Sequence, residues 1–317
     1  MFLSPRAQSR GHLVVLDCAR TDKIEMKKHI VFVLLVLVAL SCKETKKEGA
    51  EITTASEEAI KPEVKLYTFD GGTVMVNNLE LFSQDTTYQG QTKEFSDAFY
   101  VISHPKGNLM WDAGLPEGLI GLPEPFTDPS GAFTVSRKDS VVNQLKSIDM
   151  AIDDIDFIAL SHTHFDHSGH ANAFKNSTWL VQQSEYDSIT SETSQKDNAD
   201  NYNAIKELTK TKKLSGDYDV FGDGTVVIKS MPGHTPGHQL LFLNLSEHGP
   251  LLLTGDLYHT YENREHKRVP IFNFDVDQTL KSMEAFEAFA KEKNAKVYLQ
   301  HQKEDFNKLP KAPNYLN

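Results

Sequence analysis

The hexapeptide His162-Thr163-His164-Phe165-Asp166-His167 constrains this chain more than any other segment. It has the form H-x-H-x-D-H and follows a short buried-strand pattern, Asp156-Phe157-Ile158-Ala159-Leu160. A fold for this sequence must therefore carry a strand end to a cluster of imidazoles and a carboxylate. Alternate residues of such a loop point to the same side, so His162 and His164 face one position while Asp166 and His167 turn toward another. Three more groups stand in the same context, each after an apolar run: His234 in Pro232-Gly233-His234-Thr235-Pro236-Gly237-His238, Asp256 after Leu251-Leu252-Leu253-Thr254-Gly255, and His301 after Val297-Tyr298-Leu299-Gln300. Imidazole and carboxylate are the ligands that zinc, manganese and iron take in hydrolytic sites. Seven such groups imply a hydrolase built around two divalent metal ions.

Formal charge narrows the partners. The chain carries 33 Lys and Arg against 44 Asp and Glu, a net charge of −11. Phosphate backbones favour clustered cations, so nucleic acid is excluded as a partner and a neutral or apolar small molecule is expected. Only two cysteines occur, Cys18 and Cys42, both ahead of the ligand motifs. No thiolate ligand and no disulfide framework is available to the catalytic domain.

The N-terminus reads as a targeting segment. Met26-Lys27-Lys28 is a short basic stretch, and Ile30 to Leu40 is an unbroken apolar run. A bilayer span needs about 20 apolar residues, so the run fits the core of a secretory signal. It ends in Ala39-Leu40-Ser41-Cys42, which resembles a bacterial lipobox. Residues 1–25 read as an upstream extension with Met26 as initiator, 26–41 as a lipoprotein signal peptide, 42–61 as a polar tether and 62–317 as the hydrolase domain. The expected location is the cell envelope through a lipid on Cys42, with plain secretion as the alternative.

Strand patterns occupy Val64–Phe69, Thr73–Val76, Ala98–Ser103 and Asn108–Asp112, the last two flanking a hairpin signal at His104-Pro105-Lys106-Gly107. Ser140 to Ile148 reads as a helix, as does 279–292, where Leu280, Met283, Phe286 and Phe289 recur at near-helical spacing. Two segments, Leu115–Phe133 and Ser188–Ser215, read as long loops beside the site. Strand-helix-strand order gives an α/β architecture.

The motif and the spacing of His167, His234, Asp256 and His301 resemble the metallo-β-lactamase superfamily, and within it the N-acyl-homoserine lactonases, with the exported lactonases of marine bacteria most similar. The closing stretch His301-Gln302-Lys303-Glu304-Asp305-Phe306 carries part of that likeness, which spans roughly 62–317. The resemblance implies an αββα sandwich. It assigns one ion, zinc by default with Mn, Fe or Co also suited, to His162, His164 and His234. The second goes to Asp166, His167 and His301, with Asp256 bridging the two. His238 and Asp112 are implied as supports of the ligand loops. Many lactonases place a Tyr three residues past the bridging Asp; here Tyr258 stands at plus two and His259 at plus three, and either is a candidate donor to substrate.

The implied reaction is opening of a homoserine lactone ring by a hydroxide shared between the ions, with Asp166 or Asp256 carrying the proton and the Leu115–Phe133 segment walling the acyl tail. The alternatives are another small lactone, ester or thioester, as in glyoxalase II, and a non-catalytic lipid-anchored binding module. A β-lactamase of the commonest metal-dependent class is disfavoured, since it has Cys in the place of Asp256.

Overall fold

The run Gln239-Leu240-Leu241-Phe242-Leu243-Asn244-Leu245 explains the layering. Leu241, Leu243 and Leu245 point into one core, Leu240 and Phe242 into another. A strand apolar on both faces must be covered on both, so its sheet lies between two other layers.

The computed structural model describes residues 62–317. The expected signal segment, Cys42 and the expected polar tether lie outside the described residues. The first sheet contains β1 (Lys65–Val76), β2 (Lys93–His104), β3 (Gly107–Trp111), β4 (Phe126–Thr127), β5 (Phe133–Ser136), β6 (Phe157–Ala159), β7 (Thr178–Gln182) and β8 (Thr211–Leu214). Its order is β4-β5-β1-β2-β3-β6-β7-β8. The second contains β9 (Tyr218–Asp219), β10 (Val226–Ser230), β11 (Gln239–Leu245), β12 (Gly249–Leu253) and β13 (Lys296–Tyr298), in order β13-β12-β11-β10-β9. A final strand, β14 (Tyr315–Leu316), returns to β1.

Between the sheets, Tyr100, Trp111 and Leu180 pack with Ile228, Leu241 and Leu253. The outer face of the first sheet (Phe99, Met110, Trp179) is covered by α1 (Val141–Lys146), where Leu145 packs, and by α3 (Gln183–Ile189) and α5 (Ala199–Ile205), which supply Ile189 and Ile205. The remaining short helices are α2 (Phe165–Ser168), α4 (Glu192–Asp197), α6 (Tyr261–His266) and α8 (Lys303–Lys308). The outer face of the second sheet receives Met283, Phe286 and Ala290 from the long α7 (Val276–Lys293). Helix, sheet, sheet, helix is the αββα order expected.

The β2–β3 hairpin closes at His104 and Gly107, as the turn residues predict. Ser140 caps α1 by accepting from Asn143 N–H, and Asp275 caps α7 by accepting from Gln278 N–H. Two expectations need correction. The strands read at Val64–Phe69 and Thr73–Val76 are one strand, β1, with a bulge between Asp70 and Gly72. Gly72 has φ +136°, and a Cβ there would lie 2.5 Å from Leu115 Cδ1, so the bulge requires glycine. It lets the first half of β1 pair with β14 and the second half with β5. The polar segment Ser188–Ser215 is not a loop: it holds the end of α3, then α4, α5 and β8. These helices are too short to show a period, yet Ile189, Ile205, Leu208 and Leu214 are buried and Ser191 caps α4.

The α7 contact is the simplest handle on the sandwich. Phe286 is 0% exposed, and Phe→Ala in a core costs about 3–5 kcal/mol. Phe286→Ala should lower the unfolding free energy in urea by about that amount; a loss under about 1 kcal/mol would contradict this packing.

Candidate metal centre

Strand ends gather the site. His162 and His164 follow β6, Asp256 follows β12 and His301 follows β13. β6 runs parallel to β3 and β7, and β13 parallel to β12, so these carboxyl ends emerge together, where open α/β sheets place ligands. His234 joins them from the loop between β10 and β11, and α2 carries Asp166 and His167.

All seven predicted groups converge in two sets. In the first, His162 Nε2 lies 2.8 Å from His164 Nδ1, and His234 Nε2 lies 3.2 and 3.1 Å from these two atoms. Asp256 Oδ2 is 3.6 Å from His162 Nε2 and 3.3 Å from His234 Nε2. In the second, Asp256 Oδ1 is 3.2 Å from His167 Nε2 and 2.9 Å from His301 Nε2. Asp166 closes that set, 3.8 Å from His167 Nε2 and 3.7 Å from His301 Nε2. Asp256 thus offers one oxygen to each set.

The donor chemistry fits a pair of ions. Three imidazole nitrogens aimed at one point cannot all satisfy one another by hydrogen bonding. Around a tetrahedral zinc with bonds of about 2.0–2.1 Å, neighbouring ligand atoms stand about 3.3 Å apart, close to the spacings here. His167 Nε2 and Asp256 Oδ1 are buried without a hydrogen-bond partner among the described residues, as atoms reserved for a cation would be.

The electrostatics agree. Burial, then the neighbouring imidazoles, hold His162 and His164 well below the ordinary histidine value, so both present neutral lone pairs. At His301 burial is opposed by Asp256 and Asp166, which lift it to about 9. Burial pushes Asp256 up, but His301, His167, His259 and His162 outweigh it and hold the carboxylate well below its usual range. Carboxylates that draw protons onto buried imidazoles draw dications for the same reason.

Four of the histidines and Asp256 are oriented from behind. His167 Nδ1 is 3.1 Å from Asp112 Oδ2, and Asp112 also accepts from Ser161 N–H. His301 Nδ1 meets the Ser96 carbonyl, His162 Nδ1 meets Ser161 Oγ and His234 Nδ1 meets Asn273 Oδ1 at 2.8 Å. His238, which burial depresses to about 3, accepts from Asp256 N–H at Nε2 while Nδ1 donates to the Met231 carbonyl. The supporting roles expected for Asp112 and His238 are therefore present in the geometry. Glu185 and Asn273 were missed by the sequence reading. Glu185 accepts from Thr163 N–H, Thr163 Oγ and Gly237 N–H, tying the hexapeptide to the His234 loop. Its place just past the end of β7, like the ligands past their strands, was the available signal.

A cavity of about 350 Å³ opens onto the two sets, walled by Val74, Phe82, Phe95, Phe133 and Phe272, with Asp166, Asp256 and His259 at its base. From the Leu115–Phe133 segment it is the final residues, Ser130, Ala132 and Phe133, that reach this wall; Leu122 and Phe126 are exposed. Of the two candidate donors, only His259 is here. Its Nε2 is 3.0 Å from Asp256 Oδ2, and a carboxylate only accepts, so Nε2–H donates. Tyr258 turns the other way into the core beneath α7, its ring 5.6 Å from Phe286, because strand-like alternation sends adjacent side chains to opposite sides.

The sequence matches the metallo-beta-lactamase superfamily over residues 92–301, and the chain belongs to that superfamily. It is 29% identical over 269 residues to the N-acyl homoserine lactonase AttM of Rhizobium radiobacter, covering 80% of this chain and 98% of that one. The N-acyl homoserine lactonase AiiA of Bacillus thuringiensis subsp. kurstaki is 30% identical over 260 residues, with the same coverage. A crystal structure of an N-acyl homoserine lactone hydrolase with the product N-hexanoyl-L-homoserine at its catalytic metal centre superposes with a TM-score of 0.68 at 28% identity, over 80% of this chain and 98% of that chain.

Glu185→Ala should loosen both ligand loops, since each buried donor left unsatisfied costs about 1–3 kcal/mol. Thermal unfolding should shift down by several degrees; an unchanged midpoint would show that Glu185 does not join the loops.

Proposed function

We propose that this chain is a metal-dependent hydrolase that opens the lactone ring of N-acyl-homoserine lactones. The observation that carries the reading is the split carboxylate of Asp256, one oxygen toward His162, His164 and His234 and the other toward His167 and His301, at the base of an apolar cavity. The lactonase names and bound acyl-homoserine product of the relatives support the substrate class.

His162, His164, His234 and Asp256 Oδ2 would hold one ion, and Asp166, His167 and His301, with Asp256 Oδ1, the other. Zinc is the expected metal, and this thiolate-free donor set also suits Mn, Fe or Co. Bound there, two divalent ions supply a nucleophilic water of lowered pKa and polarise the ester carbonyl. The residues do the rest. Phe82, Phe95, Phe133 and Phe272 enclose the acyl tail and exclude water. His259, which burial depresses to about 4, stays neutral and directs Asp256 through its donated hydrogen bond. Asp166 has 13% of its side chain exposed, against 4% for Asp256. It is therefore the more accessible of the two carboxylates that line the cavity, suited to take the proton lost by the attacking water and pass it to the departing alkoxide oxygen.

Metal-loaded protein should release one proton per lactone opened at neutral pH, read by pH-stat, with the product heavier by one water. Asp256→Ala should lose both equivalents of metal and activity by more than the 10²–10³ typical of a single polarising donor. Intact lactones alongside rapid cleavage of a glutathione thioester would overturn the substrate assignment; full activity with one equivalent would overturn the paired site.

We further propose that the mature chain begins at a lipidated Cys42, with residues 42–61 tethering the domain to the cell envelope. The apolar run Ile30–Leu40 and the Ser41-Cys42 boundary support it. Cys42→Ser should release the protein from the membrane fraction or block its processing, and unchanged fractionation would argue for a plain secretory signal.

A further inference from the structure

Between α6 and α7, Pro270–Asp275 forms a strap pinned at both ends, with Phe272 in the cavity wall. On one side Ile271 N–H donates to the Leu81 carbonyl at 2.9 Å. On the other, Phe274 N–H and Asp275 N–H donate to the carbonyls of His234 and Gly233, at 3.0 and 2.9 Å. Phe272 turns inward, its ring centroid 5.4 Å from Phe82 and 5.9 Å from His234. The next residue, Asn273, points at the first ligand set, with Oδ1 2.8 Å from His234 Nδ1.

The orientation of that amide is fixed by its other end. Asn273 Nδ2 donates to Thr279 Oγ1 at 3.0 Å, and the Thr279 hydroxyl donates to the Asp275 carbonyl at 2.7 Å. Thr279 Oγ1 is therefore an acceptor toward Asn273, and a flipped amide would set two acceptors against each other. With Oδ1 facing the imidazole, His234 must carry its proton on Nδ1. Its Nε2, which faces His162 and His164, keeps a lone pair. His162, His167 and His301 are oriented by Ser161, Asp112 and the Ser96 carbonyl, groups within or just past the sheets' own strands. His234 instead takes its orientation from the strap that also walls the cavity.

We propose that Asn273 is a positioning residue for the metal centre: it fixes the tautomer and direction of His234, so that retention of the ion at His162, His164 and His234 depends on the strap remaining docked. This rests on the reading of the two sets as metal sites. Losing such a support typically weakens metal binding about 10–100-fold.

Zinc-loaded protein is challenged with a chelator and release of each equivalent is followed. Asn273→Ala should lose one equivalent about 10–100-fold more readily while the other is held as in the wild type. Asn273→Asp, which retains the accepting oxygen toward His234 and lets the Thr279 hydroxyl turn to donate to its second oxygen, should restore retention. Phe272→Ala should keep both equivalents and raise KM for long-tailed lactones. If Asn273→Ala does not fold, Thr279→Val, which frees the amide to rotate, must speed release of one equivalent. Wild-type retention in Asn273→Ala or Thr279→Val, or equal leakiness of Asn273→Asp and Asn273→Ala, would overturn the proposal while leaving the paired site intact. A wild-type chain that takes up no zinc would remove the metal reading and the proposal with it.

Discussion

One buried carboxylate joins the two halves of the site. A fully desolvated carboxylate in a protein interior is expensive unless charge and hydrogen bonds compensate it. Asp256 sits among five imidazoles within 3.6 Å, those of His162, His167, His234, His259 and His301, and its backbone N–H is held by His238. Remove it and two sets of neutral or cationic imidazoles face each other with nothing between them. The carboxylate therefore spaces the two sets that it lies between.

Such a constellation needs a rigid frame, and the sandwich supplies it through its strand ends. The intersheet core places β6, β12 and β13 so that their carboxyl ends converge. Glu185 then clamps the hexapeptide to the His234 loop, and Gln239 donates to the Leu160 carbonyl just ahead of the motif. Asp112 achieves its grip on His167 from a left-handed backbone with φ 59°. Asp and Asn tolerate that region better than most non-glycine residues, which suits a position that must turn the chain and orient a ligand at once. Asp97, also buried and pushed up to about 8 by burial and then by Asp166, adds a further carboxyl to this region.

The candidate ligands were legible because their chemistry is local: a strand pattern, then His or Asp, three times over. The layered order followed from the family resemblance, and the structure supplies its physical reason in Leu240–Leu245, a strand covered on both faces. What the sequence hid was long-range or too short to be periodic. Glu185 and Asn273 act on residues far away in the chain, and nothing in their neighbours announces a partner. Helices of six or seven residues within 188–215 carry less than two turns of pattern. The choice between Tyr258 and His259 turned on a one-residue offset, which in extended backbone reverses a side chain and buried the tyrosine under α7.

Substrate preference follows from the contrast between base and walls: charged and imidazole groups below, phenylalanines around. A neutral ring with an apolar tail suits both, and the surplus of acidic residues suits no polyanion. Everything turns on whether Asp256 serves two ions. Anomalous diffraction at the zinc edge from crystals of the zinc-loaded protein addresses that directly. The account predicts two peaks, one against each oxygen of Asp256; a single peak, or two peaks with Asp256 bound to only one of them, would contradict it.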